Sequence, residues 1–173
     1  MPTPVGHALA GLAVAGLASR GVAPKPAHVV VLVFCATAPD LDLLLRFVDG
    51  VNHHRAASHS FAAAVIVGAL GGVLRRTRLD LPGGLSIAAA WASHVVLDYL
   101  GRDSSPPIGL MALWPFSSAF FASPVSVFYD VPRSFSMAAI RHNVVAVLLE
   151  LAILAPVAVI SWRRFLLRKA DPR

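Results

Sequence analysis

The chain has few cysteines and few charged residues. Cys35 is the single cysteine among 173 residues, and it lies within an apolar run. One cysteine cannot form an intramolecular disulfide or a cysteine-rich zinc module, so a bound metal would need nitrogen and oxygen ligands. Charged residues make up 14% of the chain, against about 25% in soluble globular domains. This scarcity argues against a soluble protein.

Apolar residues are abundant, at 57% of the chain with a mean hydropathy of +0.70. The formal net charge of +6 raises the question of a nucleic-acid partner, because clustered cations neutralise phosphates. The cations, however, stand in short clusters between or after apolar runs, as in the loops that flank membrane helices. We therefore expect membrane lipids, and not nucleic acid, as partners.

Five apolar segments predict helices, at about 5–19, 27–47, 59–74, 84–100 and 137–162. Several are shorter than the roughly 20 residues that a full span requires. The last is the strongest transmembrane candidate, because Trp162 and a basic cluster close it at an interface. The fold class is therefore predicted to be all-α, a polytopic membrane bundle of about five helices in one domain over 1–173.

Four local features refine this prediction. Leu17-Ala18-Ser19 resembles a signal-peptide cleavage site, but no positively charged region precedes it, which favours a bundle helix. Pro39 should kink the second helix, and Ser58 is a plausible N-cap for the third. The stretch from 102 to 133 is rich in Pro, Ser and Phe and predicts an interfacial loop or lid between helices four and five.

Basic residues predict the orientation of the bundle. If the helices alternate in direction, ten of the fifteen Lys and Arg residues share one side: Arg20, Lys25, Arg75, Arg76, Arg78, Arg163, Arg164, Arg168, Lys169 and Arg173. The positive-inside rule makes that side, with the C-terminus, cytoplasmic. The N-terminus, the 48–57 turn and the 102–135 segment then lie on the extracytoplasmic side.

Histidines and aspartates recur at one depth along four of these helices. With a rise of 1.5 Å per residue, each lies roughly 15–24 Å from the basic end of its helix. The residues are His7, Asp40, Asp42, His59, His94 and Asp98. Independent packing residues have no reason to agree in depth, so this agreement predicts a shared site away from the basic loops.

Spacing refines the prediction for two of these pairs. His94 and Asp98 are four residues apart, which stacks them on one helical face and allows both to bind one ion. A simple His–Asp hydrogen bond is the alternative. Asp40 and Asp42 would point to different faces of a regular helix. Either the Pro39 kink brings both to the site, or one is a ligand and the other a supporting base or helix cap.

Further polar residues lie near the predicted site or within an apolar helix. His53, His54 and His59 lie near a helix start, where His54 and His59 can meet and Arg55 can neutralise an anion. A solvated polar turn is the alternative. Glu150 lies within the most apolar helix and is either functional or a hydrogen-bonded packing residue.

Imidazole and carboxylate ligands suit Zn²⁺ first, and also Mn²⁺ or Fe²⁺. The predicted metal ligands, enough for one or two ions, are His7, Asp40, Asp42, His54, His59, His94 and Asp98. Such a centre activates water for hydrolysis of phosphoester bonds. Asp42 or Asp98 would orient the water, and Arg55 would hold an anionic group of the substrate.

At these residues the chain resembles the YdjM-type family of inner-membrane, metal-dependent hydrolases. The resemblance spans about 7 to 116 and rests on five ordered motifs: His7, PDLD at 39–42, HRAASHS at 54–60, His94 to Asp98, and WPF at 114–116. Ala56 and Ser58 depart from the usual Gly and Thr. It implies a membrane-embedded hydrolase, distantly like zinc-dependent phospholipases, but supplies no substrate.

Together these features predict a metal-dependent hydrolase that cleaves a phosphoester or ester bond of a lipid or lipid-linked substrate. Its WPF segment at 114–116 would cover the site from the membrane interface. The alternative is a non-enzymatic protein, either a metal transporter or a metal-stabilised scaffold. A transporter needs ligands along a continuous path, whereas these candidates crowd toward one end.

Overall fold

A computed structural model describes residues 1–19, 23–77 and 79–170, with side chains as far as Arg163. Within these ranges the α-helices are α1 (Pro4–Ala18), α2 (Pro26–Thr37), α3 (Arg46–Asp49), α4 (Phe61–Arg76), α5 (Gly84–Leu100) and α6 (Met137–Ala170). Two 3-10 segments cover Ala38–Leu45 and Ala57–His59. The described residues contain no β-strand, only two isolated bridges. The all-α prediction is confirmed.

Short polar residues begin two of the helices. Thr3 caps α1 by accepting the Val5 N–H at 3.2 Å, and proline at the first helical position needs no such partner. Ser60 caps α4 by accepting the Ala63 N–H at 3.0 Å. The expectation that Ser58 is this cap is wrong, because the chain makes a 3-10 turn over Ala57–His59 before α4 begins.

Pro39 has a stronger effect than the predicted kink. The α-helix α2 ends at Thr37, and the chain continues as a 3-10 helix over Ala38–Leu45. Proline has no N–H to donate to the carbonyl four residues earlier, so the regular helix cannot continue through it. Gly50, at a φ of 75°, then ends the short α3. The segment that carries Asp40 and Asp42 therefore has tighter geometry than an α-helix.

The helices pack closely where glycine faces a neighbour. Helix α1 contacts α2 and α6, α4 contacts α5, and α5 also contacts α1 and α2. A Cβ atom on Gly68 of α4 would lie 2.6 Å from the Ala88 Cβ of α5. A Cβ atom on Gly11 of α1 would lie 2.7 Å from the Val33 Cα of α2. These backbone approaches require glycine, as is common between helices in a bilayer.

Contacts between distant segments identify the two ends of the bundle. The Met1 amine donates to the Arg102 carbonyl at 2.6 Å. At the other end, Lys25 pairs with Asp80 at 2.7 Å. The Trp162 Nε1–H donates to the Leu12 carbonyl at 2.9 Å, near the C-terminal half of α1. Of the ten basic residues grouped on one side, Arg20, Arg78 and Arg173 lie outside the described residues, as do the side chains of Arg164, Arg168 and Lys169.

Two helical stretches are long and apolar enough to cross a membrane, Pro26–Asp49 and Met137–Arg163. Pro4–Ala18 and Gly84–Leu100 are also apolar but contain only 15 and 17 residues. A hydrocarbon core of about 30 Å needs roughly 20 helical residues. By length, two of the five expected spans are therefore present in the described chain.

Candidate metal centre

Four side chains from three segments bring one ligand atom each to a common point. His94 Nε2 lies 3.1 Å from His59 Nε2 and 3.3 Å from Asp98 Oδ2. His59 Nε2 is 3.4 Å from Asp98 Oδ2. Asp40 Oδ1 is 3.6 Å from both of these imidazole nitrogens. Ligands about 2.0–2.1 Å from a tetrahedral ion are about 3.3–3.4 Å apart, so these four atoms could hold one metal ion.

Hydrogen bonds on the far side of each ring fix which imidazole nitrogen is free. His94 Nδ1 lies 2.9 Å from the Ala36 carbonyl oxygen, which can only accept, so Nδ1 carries the proton. His59 Nδ1 is 3.1 Å from Asp42 Oδ2, which assigns its proton in the same way. When both imidazoles are neutral, each Nε2 carries a lone pair, and the two Nε2 atoms are 3.1 Å apart. A bound cation could be coordinated by both.

Asp98 is buried, and three imidazole nitrogens are its nearest polar neighbours, at 3.3–3.4 Å. Its side chain is 1% exposed, and neither oxygen has a hydrogen-bond partner among the described residues. A buried carboxylate is costly unless its charge is compensated, and a cation bound between Asp98 and these imidazoles would compensate it. This burial agrees with a metal site.

His7 lies beside the four atoms but is not one of them. Its Nε2 is 3.3 Å from the other Asp98 oxygen, Oδ1, and its ring stacks on His94 at a centroid distance of 3.8 Å. His7 Nδ1 is buried and has no hydrogen-bond partner in the described part of the chain. The predicted residue is therefore at the site, in contact with a candidate ligand.

Asp42 is surrounded by protein donors. Its Oδ1 lies 2.9 Å from His54 Nδ1, and its Oδ2 accepts the Ser58 hydroxyl at 2.6 Å and the Arg55 N–H at 3.2 Å. Oδ2 also faces His59 Nδ1. Asp42, His54 and His59 form a second group that could hold a metal, but it shares His59 with the first. The contacts favour Asp42 as the carboxylate that orients His59, one of the alternatives left open by the sequence.

Arg55 connects this network to the 102–133 segment. It is the one non-glycine residue with a positive φ in the described chain, at 70°, and its guanidinium pairs with Asp103 and donates to the Ser105 carbonyl at 2.8 Å. Its side chain is 4% exposed, and its guanidinium, which was expected to neutralise a substrate anion, is already paired with Asp103. Sequence reasoning missed Asp103, a lone acid just after Gly101 ends α5, which also accepts the Gly109 N–H at 2.7 Å.

The candidate centre opens to solvent at one ligand. The Asp40 side chain is 30% exposed, whereas those of the other three ligands are at most 1% exposed. Next to the site, the Phe61 N–H donates to the Ala112 carbonyl at 3.1 Å. Phe116, of the predicted WPF cover, is 94% exposed. The loop therefore adjoins the site and presents an apolar side chain outward.

Two other polar residues lie outside the cluster. His53 Nε2 pairs with Asp49 Oδ2 at 2.5 Å on the surface, which identifies His54 as the histidine that faces inward. Glu150 accepts the Thr3 N–H at 2.7 Å and the Thr3 hydroxyl at 2.5 Å. The interpretation of Glu150 as a hydrogen-bonded packing residue agrees with these contacts.

The chain is all-helical, with two helices long and apolar enough to cross a membrane and with His and Asp groups that could hold a metal ion. The chain belongs to the YdjM inner membrane protein family, whose model matches residues 1–169. The resemblance recognised from the five motifs is thereby confirmed over nearly the whole chain. No curated protein and no solved structure matches the chain significantly.

Proposed function

We propose that the protein is a membrane-embedded, metal-dependent hydrolase that cleaves a phosphoester or ester bond of a lipid or lipid-linked substrate. The observation that carries this proposal is the group formed by Asp40, His59, His94 and Asp98, with neighbouring ligand atoms 3.1–3.6 Å apart. One complete set of four atoms favours one ion per chain. Zinc is the metal that this donor set suits best.

A bound divalent ion that accepted a water as an additional ligand would lower the pKa of that water toward about 7 and polarise the ester oxygen. The protein supplies the orientation. Asp42 and the Ala36 carbonyl hold the two imidazole rings with their Nε2 atoms toward the site. Asp40 is the candidate ligand open to solvent, so its second oxygen is the natural acceptor for the proton of an attacking water. This assigns to Asp40 the role that the sequence suggested for Asp42 or Asp98.

The surroundings support a lipid substrate. The site lies at one end of an apolar helical protein, and the adjacent loop exposes Phe116 and partly exposes Trp114. Aromatic side chains favour the membrane interface, where a lipid ester bond is found. Since Arg55 is paired with Asp103, we assign it to holding this loop against the site.

Hydrolysis by the purified protein tests the proposal. We expect metal-dependent release of product from a generic phosphodiester or a phospholipid, abolished by a chelator and restored by Zn²⁺. Asp40→Asn, which keeps an oxygen ligand but weakens the proton acceptor, should lower turnover roughly tenfold to hundredfold. Asp49→Asn is the matched control, because Asp49 is surface-exposed and pairs with His53 outside the cluster.

A metal-stabilised scaffold is the second candidate, favoured by the near-complete burial of three of the four ligands. Structural zinc sites are typically closed by four protein ligands. Full metal occupancy with no hydrolysis of phosphodiester, phospholipid or carboxylic ester probes would select the scaffold. Metal flux into liposomes without hydrolysis would select a transporter.

We further propose that the site faces the extracytoplasmic side and that the C-terminus is cytoplasmic, because Lys25, Arg75 and Arg76 lie toward the opposite end. Cysteine labelling in intact cells tests this orientation. A reagent that cannot cross the membrane should modify Ser104→Cys and leave Thr77→Cys unmodified, while native Cys35 is buried. Labelling of Thr77→Cys and not of Ser104→Cys would indicate the opposite orientation.

A further inference from the structure

A cavity lies at the end of the bundle away from the candidate metal centre. It has a volume of about 500 Å³ and lies among the end of α1, the start of α2, the end of α4 and the start of α5. Its lining includes Ser19, Lys25, His28, Arg75, Gly83 and Ser86. His94 is ten residues further along α5 than Gly84, or about 15 Å. The volume is in the range of small-ligand sites, about 300–1,000 Å³.

The charges around this cavity leave one cation without compensation. Lys25 pairs with Asp80 Oδ2 at 2.7 Å, and His28 Nε2 lies 3.0 Å from Asp80 Oδ1. Hydrogen bonds from Lys25 and from His28 hold the pKa of the Asp80 carboxyl below its usual range, so this acid stays ionised and offsets Lys25. Arg75 has no ion-pair or hydrogen-bond partner among the described residues. The cavity therefore has a net positive wall at Arg75.

Donor groups converge on one point of that wall. A Cβ atom built on Gly83 would lie 3.5 Å from Arg75 Nη1 and 4.0 Å from Ser86 Oγ. Because Gly83 has no side chain, the space between the guanidinium and the hydroxyl is open. No side chain caps α5, and the Ser86 and Ile87 N–H groups donate to the Gly83 carbonyl. The N–H groups of Gly84 and Leu85 have no partner among the described residues. A guanidinium, a hydroxyl and free backbone N–H groups are the donors that bind phosphate oxygens.

We propose that this cavity binds the phosphate group of an anionic ligand, and that an anionic phospholipid supplies it. Leu85 also lines the cavity and is 85% exposed, so an apolar surface suited to an acyl chain adjoins the cationic wall. Basic residues at the end of a membrane protein attract anionic lipid head groups. The site is separate from the candidate metal centre and does not depend on the proposed hydrolysis.

Lipid binding to the full chain in a non-ionic detergent, followed by native mass spectrometry, tests the proposal. The probes are phosphatidylglycerol, phosphatidylcholine and inorganic phosphate. We expect phosphatidylglycerol to bind more tightly than phosphatidylcholine. Arg75→Gln should weaken phosphatidylglycerol binding about tenfold, the effect of losing one charged hydrogen bond. Arg76→Gln is the matched control, since Arg76 is exposed and adjacent but does not line the cavity, and its effect should stay within about twofold.

The remaining outcomes also decide the matter. Inorganic phosphate that binds the wild type, displaces the lipid and is lost in Arg75→Gln would support the site and identify free phosphate as its ligand. Equal losses in Arg75→Gln and Arg76→Gln would overturn the proposal, because they would indicate diffuse surface attraction. Absence of binding by all three probes to the wild type would overturn it as well.

Discussion

His94→Ala will reduce the metal content of the purified protein from about one ion per chain to near zero. His94 contributes one of four ligand atoms, and its ring is fixed by the Ala36 carbonyl and by stacking on His7. Its loss would leave three ligands and a cavity where the ring had been. Elemental analysis after detergent purification and dialysis against a weak chelator measures this change.

The chain provides a matched control for this experiment. His53→Ala removes the same side chain from an exposed position where its partner is Asp49, so metal content should stay at the wild-type level. His59→Ala should lose the metal as His94→Ala does, which guards against a folding defect peculiar to one variant. Wild-type protein that takes up no Zn²⁺, Mn²⁺ or Fe²⁺ when these are supplied would contradict both the metal centre and the proposed hydrolysis.

Glu150→Ala will lower the free energy of unfolding by about 2–6 kcal/mol, because two buried donors lose their acceptor at about 1–3 kcal/mol each. Glu150 is 1% exposed and accepts both the backbone N–H and the hydroxyl of Thr3, the cap of α1. These two hydrogen bonds join α6 to the start of α1, the helix that carries His7. Unfolding in mixed micelles, monitored by circular dichroism, measures the loss.

Two variants separate the loss of these hydrogen bonds from the mere shortening of a side chain on α6. Leu148→Ala shortens a side chain that is 58% exposed, so we expect a change below about 1 kcal/mol. Glu150→Gln keeps one acceptor oxygen and should retain most of the stability. If Glu150→Ala unfolded at the same detergent composition as Leu148→Ala, the Thr3 bond would not contribute measurably to folding.

Local patterns account for most of what was predicted correctly. The helix over 84–100 has the predicted bounds, because Gly83 and Gly101 flank a continuous apolar run. The i, i+4 spacing of His94 and Asp98 placed both at one point, as helical geometry requires. The helix expected at 59–74 instead begins at Phe61, since Ser60 and not Ser58 provides the cap.

Pairings between distant segments could not be predicted in the same way. Arg55 and Asp103 are 48 positions apart. The sequence predicted a loop over the site, but nothing near either residue indicates that these two side chains pair. The anion-binding role expected for Arg55 rested on its charge and on the nearby helix start. Its burial and its partner depend on the path of the loop, which follows from tertiary packing.

The sequence by itself determined the membrane class, the helical segments and the depth at which histidines and aspartates gather, because hydropathy and the rise per residue are local properties. Only the tertiary structure decided which carboxylate faces the imidazole nitrogens. The 3-10 segment after Pro39 directs Asp40 to His59 and His94, and it directs Asp42 to the far side of His59. That division depends on backbone geometry and on partners from three segments, which no single stretch of sequence specifies.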